Sequence, residues 1–219
     1  MLLYTFNRYF DDWGLGNWQI FLDSPMAIKA TRVYARHGGL YDTHAAAFEA
    51  AHGDLFDLPN LHFTETTEAS MGLNSIRAGA IIIAGSGMCT GGRIKHHLKH
   101  NVWRPETQLV ITGFQAVGTL GRALVDGAHR IRLWGETVRV QAKVHTVGGL
   151  SRHADQQGLL DWYDGFRGAP PPVAVVHGEP AAQDALVEAL RSRTMARSMR
   201  FGETLDLIDP GAAVAGDGP

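Results

Sequence analysis

Two apolar runs, each closed by glycine and each followed by a helix-forming stretch, set the architecture open to this chain. Ala80 to Ala84 has no polar residue and ends at Gly85; Gln108 to Thr112 ends at Gly113. A short run that is apolar on both faces suits a strand covered on both sides, the usual condition of a parallel sheet. Ala80 to Ala84 is therefore expected as a central parallel strand. Helices are predicted from about Gly92 to Asn101 and from Val117 to Val125. The same alternation holds upstream. Leu2, Leu3, Phe6, Tyr9, Phe10 and Trp13 recur at helical spacing. Trp18 to Leu22 reads as a strand. Asp23-Ser24-Pro25 stops it and opens a helix through about Arg36. Further elements are expected as a helix over Thr43 to Ala51, a strand at Leu61 to Phe63 and a short helix over Thr67 to Ile76. The class is α/β, a Rossmann-like parallel sheet with helices on both faces.

From Gly127 to Val147 the period changes. Ile131, Leu133, Val138, Val140, Ala142 and Val144 alternate with polar residues, which predicts an antiparallel hairpin. The strand–helix pattern then returns. A helix follows His153, a strand covers Val173 to Val176, a helix runs from about Ala181 to Ser192, and a last strand covers Leu205 to Ile208. We expect one domain over residues 1–126, a second over 127–210, and a disordered tail over 211–219.

Composition removes several function classes. The net charge of −2 is too small for a general polyanion-binding surface, so nucleic acid would have to be met by local patches. A single cysteine excludes a disulfide framework and fits a reducing cytoplasm. No stretch approaches the roughly 20 apolar residues of a membrane span. Met1 to Phe10 lacks the layout of a signal peptide.

Chemistry concentrates in three places. Gly148-Gly149-Leu150-Ser151-Arg152-His153-Ala154-Asp155 and Val173-Ala174-Val175-Val176-His177-Gly178-Glu179 read as strand–His–helix–strand–His. Such a layout can bring two imidazoles to one rim of a sheet. Gly85-Ser86-Gly87-Met88-Cys89-Thr90-Gly91-Gly92-Arg93 links a strand to a helix N-terminus and exposes backbone N–H groups to an anion. The ordinary explanation of one glycine turn is tight helix–strand packing. Without Gly-Lys-Ser/Thr it is no triphosphate loop. Gly118-Thr119 stands at the next junction and can serve likewise. His96 and His100 have a spacing that binds zinc, but no third ligand is evident, and a helix-packing face is the simpler reading. Arg93, Lys95, Lys99 and Arg104 form one basic strip; Arg191, Arg193, Arg197 and Arg200 form a second. Asp23 reads as a helix-opening residue, and Cys89 lacks the neighbours of a thiol nucleophile.

The order of Asp23-Ser24-Pro25-Met26-Ala27, the Gly85 to Arg93 turn, His97-Leu98, Gly113 to Arg122 and the two histidine motifs resembles the β-CASP group of metallo-β-lactamase-fold RNA-processing nucleases, from about Leu2 to Pro180. The resemblance implies that residues 127–210 complete the metallo-β-lactamase αββα fold. It implies that His177 is a zinc ligand and His153 the general acid, with Asp155 capping the next helix and orienting His153. It implies an RNA-facing cradle of Ser86, Gly87, Thr90, Arg93, Gly118 and Thr119. Arg152 stands where relatives carry a small residue, so it would bind phosphate, crowd the site or face solvent. The family's His-x-His-x-Asp-His motif is not among the eleven histidines. We therefore expect the C-terminal part of a parent nuclease, inactive alone, with RNA as partner, zinc in the complete enzyme, and self-association through the face left by the other half. The alternatives are a non-catalytic RNA- or partner-holding module and an unrelated nucleotide-binding enzyme; the latter lacks Gly-x-Gly-x-x-Gly after its first strand.

Overall fold

The computed structural model describes residues 1–150, 153–205 and 213–214, the last two by backbone only. They form two compact units that divide after Ser151. The first unit opens with α1 (Leu2–Arg8), β1 (Gln19–Asp23) and α2 (Pro25–Ala35). Ser24 caps α2 by accepting from the Ala27 N–H, and Pro25 fills the first helical position, where its missing N–H costs nothing. Next come α3 (Thr43–His52), capped by Asp42, then β2 (Leu61–Phe63), α4 (Thr67–Gly72) and β3 (Ala80–Ala84). The three strands make a parallel sheet in the order β2-β1-β3, with Ile20 opposite Leu61 on one side and Ile81 on the other.

Ile20 and Leu22 share one face of β1. They are sealed by Leu3 and Phe6 of α1, Ile28 of α2, and Leu58. Each such side chain, fully buried, contributes about 1.5–3 kcal/mol. Asp23 belongs to the other face. The expectation of a central Ala80–Ala84 needs correction: β1 is the middle strand and β3 lies at an edge, with every residue half-buried. An apolar run reports that both faces are covered, not which strands flank it.

The rest of the first unit comprises α5 (Arg93–Asn101), β4 (Gln108–Ile111), α6 (Leu120–Val125), β5 (Arg130–Leu133), β6 (Glu136–Arg139) and β7 (Lys143–Thr146). β5 and β6 form the expected hairpin. Its two-residue turn holds Trp134 (φ +47°) and Gly135 (φ +84°), the left-handed pair that a tight hairpin demands. Val144 does not continue it: β7 instead pairs in parallel with β4. Leu98, Val102, Ile111, Leu124, Ile131, Leu133 and Ala142 share one core, so residues 127–142 pack against residues that precede Asp126.

The second unit holds α7 (Gln156–Asp164), β8 (Val173–Val175), α8 (Pro180–Leu190), β9 (Ala196–Ser198), β10 (Thr204–Leu205) and β11 (Ala213–Val214). β8 and β9 are parallel, and Leu160, Tyr163 and Leu190 form the core. β9 carries no apolar run, so pattern does not announce it. Of the strand expected over Leu205 to Ile208, Leu205 is described, in a two-residue strand Thr204–Leu205 that pairs antiparallel with Ala213–Val214. Residues 206–212 and 215–219 lie outside the described residues.

Candidate functional site

The turn after β3 is closed by its own backbone. The Ser86 hydroxyl accepts from the Gly91 N–H (3.2 Å), and the Ile94 N–H donates to the Gly85 carbonyl (3.2 Å). Gly92 has φ +69°, and a Cβ there would sit 2.7 Å from the Gly85 carbonyl oxygen, so only glycine lets the end of the turn cross its start. Gly87 and Thr90 face solvent. Cys89 is buried in the core, and burial pushes its thiol pKa up, which disfavours the thiolate.

A second turn, after β4, is bound to the first. Gln115 is buried, and its Nε2 amide lies 2.8 Å from the Gly87 carbonyl, 3.1 Å from that of Gly113 and 3.0 Å from that of Phe114. The Gly121 N–H donates to the Met88 carbonyl at 3.0 Å. A Cβ on Gly121 would be driven into Gln115 Oε1, with the Met88 carbonyl oxygen 3.1 Å away. Gly121→Ala is therefore expected to destabilise the chain by about 1–3 kcal/mol, the usual range for overpacking. A urea titration would read it, and an unchanged midpoint would refute the packing. Gly118 (φ +82°) precedes Thr119, whose side chain caps α6 by accepting from the Arg122 N–H (3.2 Å) and donates to the Ala116 carbonyl (2.7 Å).

Arg93 turns inward. Nη1 donates to Asp23 Oδ1 (2.7 Å) and the Thr64 carbonyl (2.6 Å), and Nη2 to the Glu65 carbonyl (2.9 Å). Asp23, fully buried, also accepts from Ser70 Oγ (2.7 Å) and His97 Nε2 (2.6 Å). A carboxylate only accepts, so His97 carries its hydrogen on Nε2. This network was missed in the sequence. Its one local signal is that Arg93 and His97 stand four apart on α5 and so share a face. Asp23 opens no helix with its side chain; Ser24 does.

The two basic strips are likewise engaged. Lys99 pairs with Glu136 (2.8 Å), Lys95 lies over the Trp134 ring, and buried Arg104 donates to the Ile76 and Arg77 carbonyls. Near the C-terminus Arg191 pairs with Glu188, Arg193 with Asp164 and Arg197 with Glu203. His96 packs its ring on Trp134 at 4.5 Å between centroids.

In the second unit Asp155 caps α7, its Oδ1 accepting from the Gly158 N–H at 2.8 Å. His153 is exposed just ahead of that cap. The expected strand end at His153 is corrected: β7 stops at Thr146, and a single 3₁₀ turn over Gly148–Leu150 intervenes. Arg152 lies outside the described residues. His177 does follow a strand, two residues after β8. It is exposed and left-handed at φ +67°, with Gly178 beside it at φ +122°. Among the described residues no three His, Cys, Asp or Glu side chains are grouped to hold a metal ion. Among the described residues no helix is long and apolar enough to cross a membrane.

Two family models match this chain: the Beta-Casp domain over residues 1–124, and the Zn-dependent metallo-hydrolase RNA specificity domain over residues 137–198. Ribonuclease TTHA0252 of Thermus thermophilus is 40% identical over 185 residues, 84% of this chain and 42% of its own length. Transcription termination factor FttA of Pyrococcus abyssi is 36% identical over 134 residues, 59% of this chain and 20% of its own. FttA of Thermococcus kodakarensis is 37% identical over 105 residues, 46% of this chain and 16% of its own. The chain thus spans less than half the length of these relatives.

Proposed function

The chain belongs to the Beta-Casp family, and from that premise we propose that it is the β-CASP and C-terminal part of a zinc-dependent nuclease that processes RNA in the cytoplasm. The observation that carries the reading is His177. A non-glycine residue in the left-handed region costs of order 1–3 kcal/mol and clusters at ligand-holding positions. Here it is an exposed imidazole just beyond a strand end, with no place in the core of its unit.

Zinc in a catalytic site takes about three protein ligands, and the described residues do not supply three. The described residues by themselves therefore do not make up a zinc site. His177 is one donor toward a centre whose others come from a separate half. His153 supplies the proton that a departing ribose oxygen needs, and Asp155 fixes the helix behind it. Phosphate is met by the exposed backbone of Gly87, the Thr90 hydroxyl and Gly118. Ser86, Thr119 and Arg93 act one step back, since their polar groups already shape the turns. Exposed Phe114 and Val117 favour self-association of the isolated chain.

His177→Ala, made in an enzyme that joins this chain to a metal-binding half, is expected to weaken zinc binding by more than the roughly 10- to 100-fold that losing an outer-shell partner costs. Mass spectrometry of the metal content reads it, and full zinc occupancy with unaltered RNA cleavage overturns the assignment. A second reading is a non-catalytic RNA-holding module, which the RNA specificity match over residues 137–198 supports without a metal. A joined enzyme that binds RNA yet takes up no zinc would decide for it.

A further inference from the structure

The outer face of the hairpin β5–β6 carries positive charge and no negative charge. Burial alternates along β5: Ile131 and Leu133 are buried, Arg130 and Arg132 exposed. The register places Arg139 directly opposite Arg130, and Thr137 opposite Arg132. These four residues make the outer face, and none of them is an acid. Glu136, the hairpin's one carboxylate, stands opposite buried Leu133 on the other face and is held by Lys99.

Like charges directly opposite on a sheet destabilise it. Several surface arginines of this chain offset such repulsion by pairing with an acid, Arg32, Arg122, Arg191 and Arg193 among them. The side chains of Arg130, Arg132 and Arg139 make no ion pair or hydrogen bond among the described residues. Along a strand, same-face neighbours stand about 7 Å apart. Across it, they stand about 5 Å apart. Three guanidinium groups therefore rise from one small patch on a chain whose net charge is −2.

We infer that this outer face is a docking surface for the phosphodiester backbone of single-stranded RNA, additional to the glycine turns. The inference rests on the RNA reading above and gives it a second contact. RNA is favoured as occupant because the RNA specificity model begins at residue 137, within this hairpin, and so includes Arg139. Phosphates spaced along a strand supply, at fixed intervals, the counter-charge that the arginines lack.

The test is fluorescence anisotropy of the 219-residue chain with a labelled 12-nucleotide single-stranded RNA at several salt concentrations. Three phosphate contacts contribute about 2 to the slope of log affinity against log salt. The variant Arg130→Gln/Arg132→Gln/Arg139→Gln should lose that slope and bind about tenfold to a hundredfold more weakly at 0.1 M salt. Its thermal midpoint should equal or exceed that of the native chain. The corresponding triple Lys variant should keep the slope. If native chain binds RNA but the Gln variant matches it in affinity and slope, the hairpin inference fails and the RNA reading survives. If the Lys variant loses as much as the Gln variant, the surface is no backbone contact. If the native chain binds no RNA at low salt, both readings fall.

Discussion

Asp23→Ala is expected to lower the thermal midpoint of the first unit by about 6–20 °C. The carboxylate is fully buried and takes hydrogen bonds from Arg93, His97 and Ser70, groups that lie 47 to 74 residues away in sequence. Removing one member of a buried pair leaves the other charge without compensation, at about 3–5 kcal/mol. Each kcal/mol moves the midpoint of a unit this size by roughly 2–4 °C. The loss reaches beyond β1, because the same guanidinium holds the Thr64 and Glu65 carbonyls and starts α5 beneath the glycine turn. Asp23→Asn keeps the shape and some of the bonds, so its loss should be smaller. Calorimetry reads both, and an Asp23→Ala chain that melts with the native one would remove the network from the account of stability.

His153→Ala, in an enzyme joined to a metal-binding half, should lower the cleavage rate by about 10²- to 10⁴-fold, the range of a positioned general acid. Zinc content and RNA affinity should stay as they were. The decisive comparison uses a p-nitrophenyl phosphodiester, whose leaving group departs without a proton. The variant should cleave that ester at nearly the native rate. If the ester suffers the same loss as RNA, His153 does something other than protonate the leaving oxygen.

Much of the fold was legible because its signals are local. Leu61–Phe63 and Ala80–Ala84 are strands where expected, α3 covers the expected Thr43 to Ala51, and helices α2 and α5 begin at the turns that announced them. What pattern could not supply was partnership. Nothing around Val144 says that its strand lies beside β4, and nothing in Ala80–Ala84 says which strands flank it. The same divide runs through the candidate site. The glycine turns and the two histidine motifs stand out as words in the sequence. The inward aim of Arg93 and the Asp23 network depend on residues brought together only by folding. A cluster of lysines and arginines on and just after α5 resembles a nucleic-acid strip until Glu136, Trp134 and the Ile76 carbonyl are found at its side. Arg130, Arg132 and Arg139, whose side chains have no such neighbour, are spread over a hairpin and catch no eye in a linear reading.

The amide of Gln115 has an evolutionary corollary. One side chain measures the gap between two loops, so neither loop can gain or lose a residue without stranding it. Among descendants of this sequence, length variation should therefore spare Gly85–Gly92 and Gly113–Thr119. It should accumulate instead at places such as Gly39, where added atoms would meet nothing.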